Sequence, residues 1–167
     1  MKIDSSHNYQ NWLTHYARTL RWYARLQKVR AACGQVGIHQ DCEDYIYAFF
    51  QNCFHVRDWL VESGVIHKSQ LDQLFESNVE LRLCRDICNG TKHMTITRKP
   101  SIDADFYTFR EYNHLHISSP SDGAHAMEKF MIRTSGEKWD AFELADRCMQ
   151  IWNEFLEARG LLTTAQA

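Results

Sequence analysis

Arg85, Asn89 and His93 stand at successive steps of four in the stretch ELRLCRDICNGTKH, residues 80–93. On a helix that spacing stacks the three side chains on one face. The three types make a set with definite chemistry. An imidazole titrates near neutrality and can give or take a proton. A guanidinium holds the negative charge that develops on a phosphate, and an amide orients the group being held. Lys92 brings a second cation to this face and Asp86 an acceptor. RNA suits such a set, because its own 2′-hydroxyl supplies the nucleophile and the protein has only to position and protonate. The expectation is therefore metal-independent chemistry on RNA, with Arg85 and His93 as catalytic residues and Asp86, Asn89 and Lys92 on the substrate. The alignment requires the helix to pass through Asn89-Gly90, a pair that commonly ends helices because both tolerate the left-handed conformation. The plainer reading makes Lys92-His93 a helix C-terminus facing its own dipole, and Arg85 and Asp86 members of surface ion pairs.

Other chemistries find less in the chain. His114 and His116 are two apart on a strand, as a pair of metal ligands would be, but spacing identifies no third ligand. Non-metal roles are the expectation for both. There is no HExxH, no phosphate-binding glycine loop, no GxSxG and no dinucleotide fingerprint, and with seven glycines in all the chain has little material for such loops. No cofactor is expected. The six cysteines, at 33, 42, 53, 84, 88 and 148, form no CxxC pair. Cys53, Cys84 and Cys88 fall at helix positions facing apolar neighbours and read as reduced core thiols.

The formal net charge of the 167-residue chain is −2, so nucleic-acid binding has to come from a local patch. One candidate is Arg18, Arg21, Arg25 and Lys28, a row at steps of three and four with Trp22 beside it. A basic row interleaved with an aromatic can track phosphates. The favoured reading is a solvated face pairing with acids elsewhere.

The elements that must position these residues are mostly helices. Trp12, Leu13, Tyr16, Leu20, Tyr23 and Ala24 recur at helical spacing and predict a first helix over about 8–32. A second is expected over about 41–62, closed by Ser63-Gly64. It is apolar on two sides: Tyr45, Phe49, Cys53, Val56 and Leu60 form one stripe, and Tyr47, Phe50, Phe54 and Val61 another. Gln51, His55, Asp58 and Glu62 fill the polar sector between. Such a helix is central in a bundle or offers its second side to another subunit. Asn52, at the edge of the first stripe, reads as a buried amide tying helices together, while His55 and Asp58 at i, i+3 could set a carboxylate behind an imidazole. Asn52, His55 and Asp58 are thus supporting residues for the site. Ser69-x-x-Asp72 resembles a capping box opening a short helix over about 69–77, and the pivotal helix follows over about 79–90.

After His93 the period changes to that of strands. Met94 to Lys99, Phe106 to Ile117 and Ala124 to Arg133 predict a three-stranded antiparallel sheet within about 94–133, too small to bury both faces alone and so packed on the helices. A last helix is expected over about 138–159, with Trp139, Phe142, Ala145, Met149, Trp152 and Leu156 in three-four spacing and Gly160 as its stop. The predicted fold class is mainly α: a single domain over 1–167, a bundle of four to five helices carrying a small sheet.

This helical layout, with RDICNGTKH near the end of a bundle helix, resembles the HEPN superfamily of small α-helical proteins, many of which are RNases of toxin and antiviral systems. Their motif joins an Arg, a following polar residue and a downstream His. Arg85, Asp86 and His93 match those positions, with seven residues between Arg85 and His93, a longer gap than the family's usual one. Asn89 and Lys92 have no counterpart in the motif. The resemblance covers the helices and leaves out the sheet. It implies an endoribonuclease whose site lies at a dimer interface, which accords with the second apolar stripe over residues 45–61.

RNA is the expected partner, together with a homodimer or protein partner across the 45–61 helix. The rival expectation is a non-catalytic interaction subunit. No apolar run approaches the roughly 18 residues that span a bilayer, and no charged-then-apolar leader opens the chain, so a soluble intracellular protein is expected, and the cysteine usage suits a bacterial cytoplasm.

Overall fold

The structure, a computed structural model, describes residues 8–32, 39–92, 107–116, 125–134 and 136–162. The periodic apolar stretches become helices α1 (Asn8–Ala32), α2 (His39–Glu62), α3 (Lys68–Ser77), α4 (Val79–Lys92) and α5 (Ala141–Glu157), with strands β1 (Tyr107–His116), β2 (His125–Arg133) and β3 (Lys138–Asp140). The fold is mainly helical with a small antiparallel sheet.

α2 is the central helix, in contact with α1, α4 and α5. Its two apolar stripes have separate partners within the chain. Phe49 packs on Tyr23 of α1 at 5.7 Å between ring centroids, whereas Phe54 meets Phe75 of α3 edge-on at 5.9 Å. Phe49, Phe50, Cys53, Val56 and Leu60 are all buried in one core cluster with residues of α1, α3, α4 and α5. Of the second stripe Phe50 is buried and Tyr47, Phe54 and Val61 are partly buried against the same core, so the chain itself covers part of that side.

Contact order along the helices sets their directions. His15 of α1 lies on Trp59 and Trp22 on Tyr45, so α1 and α2 are antiparallel. Cys84 of α4 reaches the Phe50 carbonyl and Cys88 reaches His55, so α4 runs alongside α2 in the same sense. α3 supplies the return between them. α2 stops where Gly64 takes φ 70°, a left-handed conformation that costs glycine little.

Two expected boundaries move. The cap of α3 is His67, whose Nδ1 accepts from the Ser69 backbone N–H at 3.3 Å; Asp72, expected to complete a capping box with Ser69, instead takes Lys68 Nζ and Arg57 Nη2 at 2.6 Å each. A lysine and an arginine within reach outbid a backbone N–H for a carboxylate. The last helix begins at Ala141 rather than Lys138. Asp140 caps it, accepting from the N–H groups of Phe142 and Glu143 at 2.9 and 3.2 Å, and the preceding three residues join the edge of β2. Trp139 accordingly sits on a strand and not on the inner face of the helix.

The sheet also differs from expectation. Among the described residues, β1 and β2 are the strands that fall within 94–133; they pair antiparallel from Tyr107 with Arg133 to His116 with His125. The third strand is the three-residue β3, beyond that range, and the strand expected over Met94 to Lys99 lies outside the described residues. Phe130 of β2 meets Phe142 of α5 edge-on at 6.2 Å, and Ile132 is fully buried, which seats the sheet on the start of α5. A row of bonds then ties α5 to α1: Asp146 accepts from Tyr23 Oη, Gln27 Nε2 and Arg30 Nη1 at 2.7, 2.6 and 2.8 Å.

Candidate functional site

α4 is helical through Asn89 and Gly90 to Lys92. Glycine inside a helix costs only about 1 kcal/mol relative to alanine, and Leu81, Leu83, Cys84, Ile87 and Cys88 are all buried against the neighbouring helices. Packing therefore overrides the local stop. Arg85 and Asn89 stand one turn apart, both half-buried.

Asp86 departs from the expected polar face, being only 2% exposed. α4 is packed by α2, α3 and α5 together, which leaves it a narrower open sector than an isolated helical wheel suggests. A carboxylate so enclosed does not lie on the open face of α4 where a substrate contact was expected. His93 and the side chain of Lys92 lie outside the described residues. So do the side chains of His114 and His116, although the β1–β2 ladder skips a residue between Asn113 and Leu115, at His114. The strict alternation that put both histidines on one face is interrupted there.

What the helices do bring together is a group centred on His15. Its Nε2–H donates to the Asn52 backbone carbonyl at 2.9 Å, and Thr19 Oγ1 donates to the carbonyls of both His15 and Asn52 at 3.2 Å. Asn52 thus ties α1 to α2 through its main chain. Its side-chain amide, expected to join helices, bonds its own helix at Ala48 O, 2.8 Å away. The imidazole of His15 stacks on the Trp59 indole, 5.3 Å between centroids and 10° between planes, with the His55 ring 6.4 Å away. His55 Nε2 in turn lies 3.9 Å from Cys88 Sγ on α4. The chain of rings and sulfur runs from α1 across α2 to α4.

Asp58, proposed as the partner of His55, accepts from Arg57 Nη1 at 3.1 Å. The same guanidinium reaches Asp72 of α3, so Arg57 serves as a clamp between α2 and α3.

His15 is buried, and its Nδ1 has no hydrogen-bond partner among the described residues. Burial holds its pKa below the ordinary value despite the Asn52 carbonyl, and the nearby Arg18 and His55 act in the same direction as burial. With Nε2–H committed to Asn52, the neutral ring carries its lone pair on Nδ1. His15 escaped the sequence reading, although it shares the inward face of α1 with Trp12, Tyr16 and Thr19. A histidine on an apolar stripe was the available signal.

The basic row is placed as drawn. Arg18, Arg21, Arg25 and Lys28 are all exposed along the outer face of α1. Arg25 lies over the Trp22 ring, 4.6 Å from its centroid, and Trp22 is backed by Tyr45 at 5.9 Å. The ion pair of α1 with α5 uses Arg30, which is not part of the row. Among the described residues no acid pairs with any of the four, so they present concentrated positive charge to solvent. A cleft of about 420 Å³ at the start of α5, lined by Glu137, Lys138, Trp139, Asp140, Glu143 and Arg147, mixes both signs and concentrates neither.

Among the described residues, no helix is long and apolar enough to cross a membrane. No family model, curated protein or solved structure matches this chain.

Proposed function

We propose that this chain binds single-stranded RNA along α1, and that Arg85 and Asn89 on α4 hold a phosphate of the bound strand. The observation that carries this reading is the row Arg18, Arg21, Arg25 and Lys28, exposed and facing no acid among the described residues, with one guanidinium already seated over an indole. Cations at steps of three and four follow a phosphate backbone, and the adjoining aromatic offers a surface on which a base can stack. Strand cleavage without a metal, with His93 moving the proton and Arg85 stabilising the phosphorane charge, is the catalytic part of the proposal. It draws on the HEPN resemblance of RDICNGTKH; the binding part does not.

The deep burial of Asp86 favours a second reading, in which the Arg85 face is an internal fastener and the chain an interaction module. One experiment separates the two. A labelled mixed-sequence RNA is titrated with the protein in EDTA, and strand scission is followed in wild type, His93→Ala and Arg85→Ala. Binding with scission lost in both variants supports the full proposal. Binding without scission in any of them leaves an RNA-binding module, and failure to bind RNA at low salt overturns the reading.

A further inference from the structure

The interior holds a second group of chemistry-bearing side chains, remote from the basic row. Cys53 of α2, Cys84 of α4 and Cys148 of α5 are all fully buried, and their sulfurs lie within 4.8 Å of one another. Each comes from a different core helix, so no spacing in the sequence announces the group. The thiols of Cys84 and Cys148 donate to the carbonyls of Phe50 and Glu80, both at 3.5 Å. Beside Cys53 lies the Trp152 indole, wholly buried, whose Nε1–H has no hydrogen-bond partner among the described residues. An orphaned buried N–H is costly unless it has an acceptor, and a metal-bound sulfur is one.

We propose that Cys53, Cys84 and Cys148 form a three-sulfur binding site for a thiophilic ion, and that the dry setting selects a trivalent ion of the arsenic(III) class. Geometry supplies the first half. Three sulfurs on a pyramidal arsenic(III), at about 2.3 Å from it, stand roughly 3.4 Å apart, so sulfurs that already lie within 4.8 Å of one another have to draw together to reach it. Charge supplies the second half. Zinc(II) asks for a fourth ligand, and the metal-ligating group found among the described residues holds only these three. With three thiolates zinc would leave one negative charge in the core, and copper(I) two, both expensive where water is excluded. Arsenous acid reacts without that cost: As(OH)3 and three S–H groups give As(SR)3 and three molecules of water, with no change of oxidation state and no net charge. Three As–S bonds form as three As–O and three S–H bonds break.

Burial pushes the Cys53 thiol up, but hydrogen bonds from Cys148 and Cys84 outweigh it and hold Cys53 below the usual thiol range. Burial pushes Cys84 and Cys148 well above that range. Occupation would clamp α2, α4 and α5 together.

The test uses the full reduced chain incubated with arsenite, zinc(II) or copper(I) and studied by native mass spectrometry and thermal unfolding. Arsenite is expected to add one arsenic less three hydrogens, to raise the melting temperature, and to leave three of the six cysteines open to alkylation after denaturation. Cys88→Ala should retain all of this, and Cys148→Ala should lose the third protected thiol. Should Cys148→Ala fail to fold, X-ray absorption of the wild-type complex decides, with three As–S bonds expected. Binding that survives Cys148→Ala unchanged, fewer than three As–S bonds, or zinc bound more tightly than arsenite would overturn the proposal.

Discussion

The Nε2–H of His15 donates to the main-chain carbonyl of Asn52 across the α1–α2 seam at 2.9 Å, while the ring rests on Trp59. A bond to a backbone carbonyl does not depend on the side chain at position 52, so the joint is a property of His15. Replacing it with phenylalanine keeps the stack and removes the donor, with an expected loss of about 1 to 3 kcal/mol by urea unfolding at pH 7.5. Asn52→Ala, which removes only an amide bonded within its own helix, should cost less.

The sign of the pH dependence follows from the same residue. Burial lowers the His15 pKa in the folded state below its ordinary 6.5, so the unfolded chain takes up the proton first. The stability it contributes is complete above about 6.5 and is lost as pH falls through the depressed folded value. Urea midpoints measured from pH 7.5 down to pH 5 should fall more steeply for wild type than for His15→Phe. Parallel profiles would mean that His15 is not buried neutral.

Asp146 gathers Tyr23, Gln27 and Arg30 of α1 onto α5. Tyr23 is pushed up to about 12, first by burial and then by its bond to Asp146. Stability from this tyrosine is present below its ordinary 10.0 and is lost as pH rises toward the folded value. In Asp146→Asn, ultraviolet titration should find Tyr23 ionising at lower pH than in wild type. An unchanged titration would assign the whole shift to burial.

If RNA engages Arg18, Arg21, Arg25 and Lys28 together, counterion release predicts a log–log slope of affinity against salt of about −2.8 on a single strand. Arg21→Ala and Arg25→Ala should each reduce the slope by about 0.7. Arg25→Lys keeps the charge but weakens the planar stack on Trp22, so it should lower affinity while leaving the slope in place. Fluorescence anisotropy over a salt series measures both.

Asp140 caps α5 with two backbone N–H groups. Asp140→Ala should cost about 1 kcal/mol, and Asp140→Asn much less, as judged by thermal unfolding.

The helices were largely legible in the chain because an amphipathic period is a local property: the first helix was expected over 8–32 and runs Asn8–Ala32. The two apolar stripes of α2 likewise announced a central helix, and the three-four spacing of the basic row announced its exposure. Tertiary structure decided the rest, wherever the outcome depended on what else is near. Asn89-Gly90 carries a stop signal that burial of Ile87 and Cys88 overrides. Lys138 to Asp140 has helical periodicity, but an open strand edge at β2 claims it. Asp86 sits on the polar side of an isolated wheel and inside the assembled bundle, because enclosure is set by neighbouring helices and not by the period of its own. The His15–Asn52 joint and the three-sulfur group belong to the same class: residues distant in the chain meet only when α1, α4 and α5 have closed on α2, and no local pattern encodes that meeting.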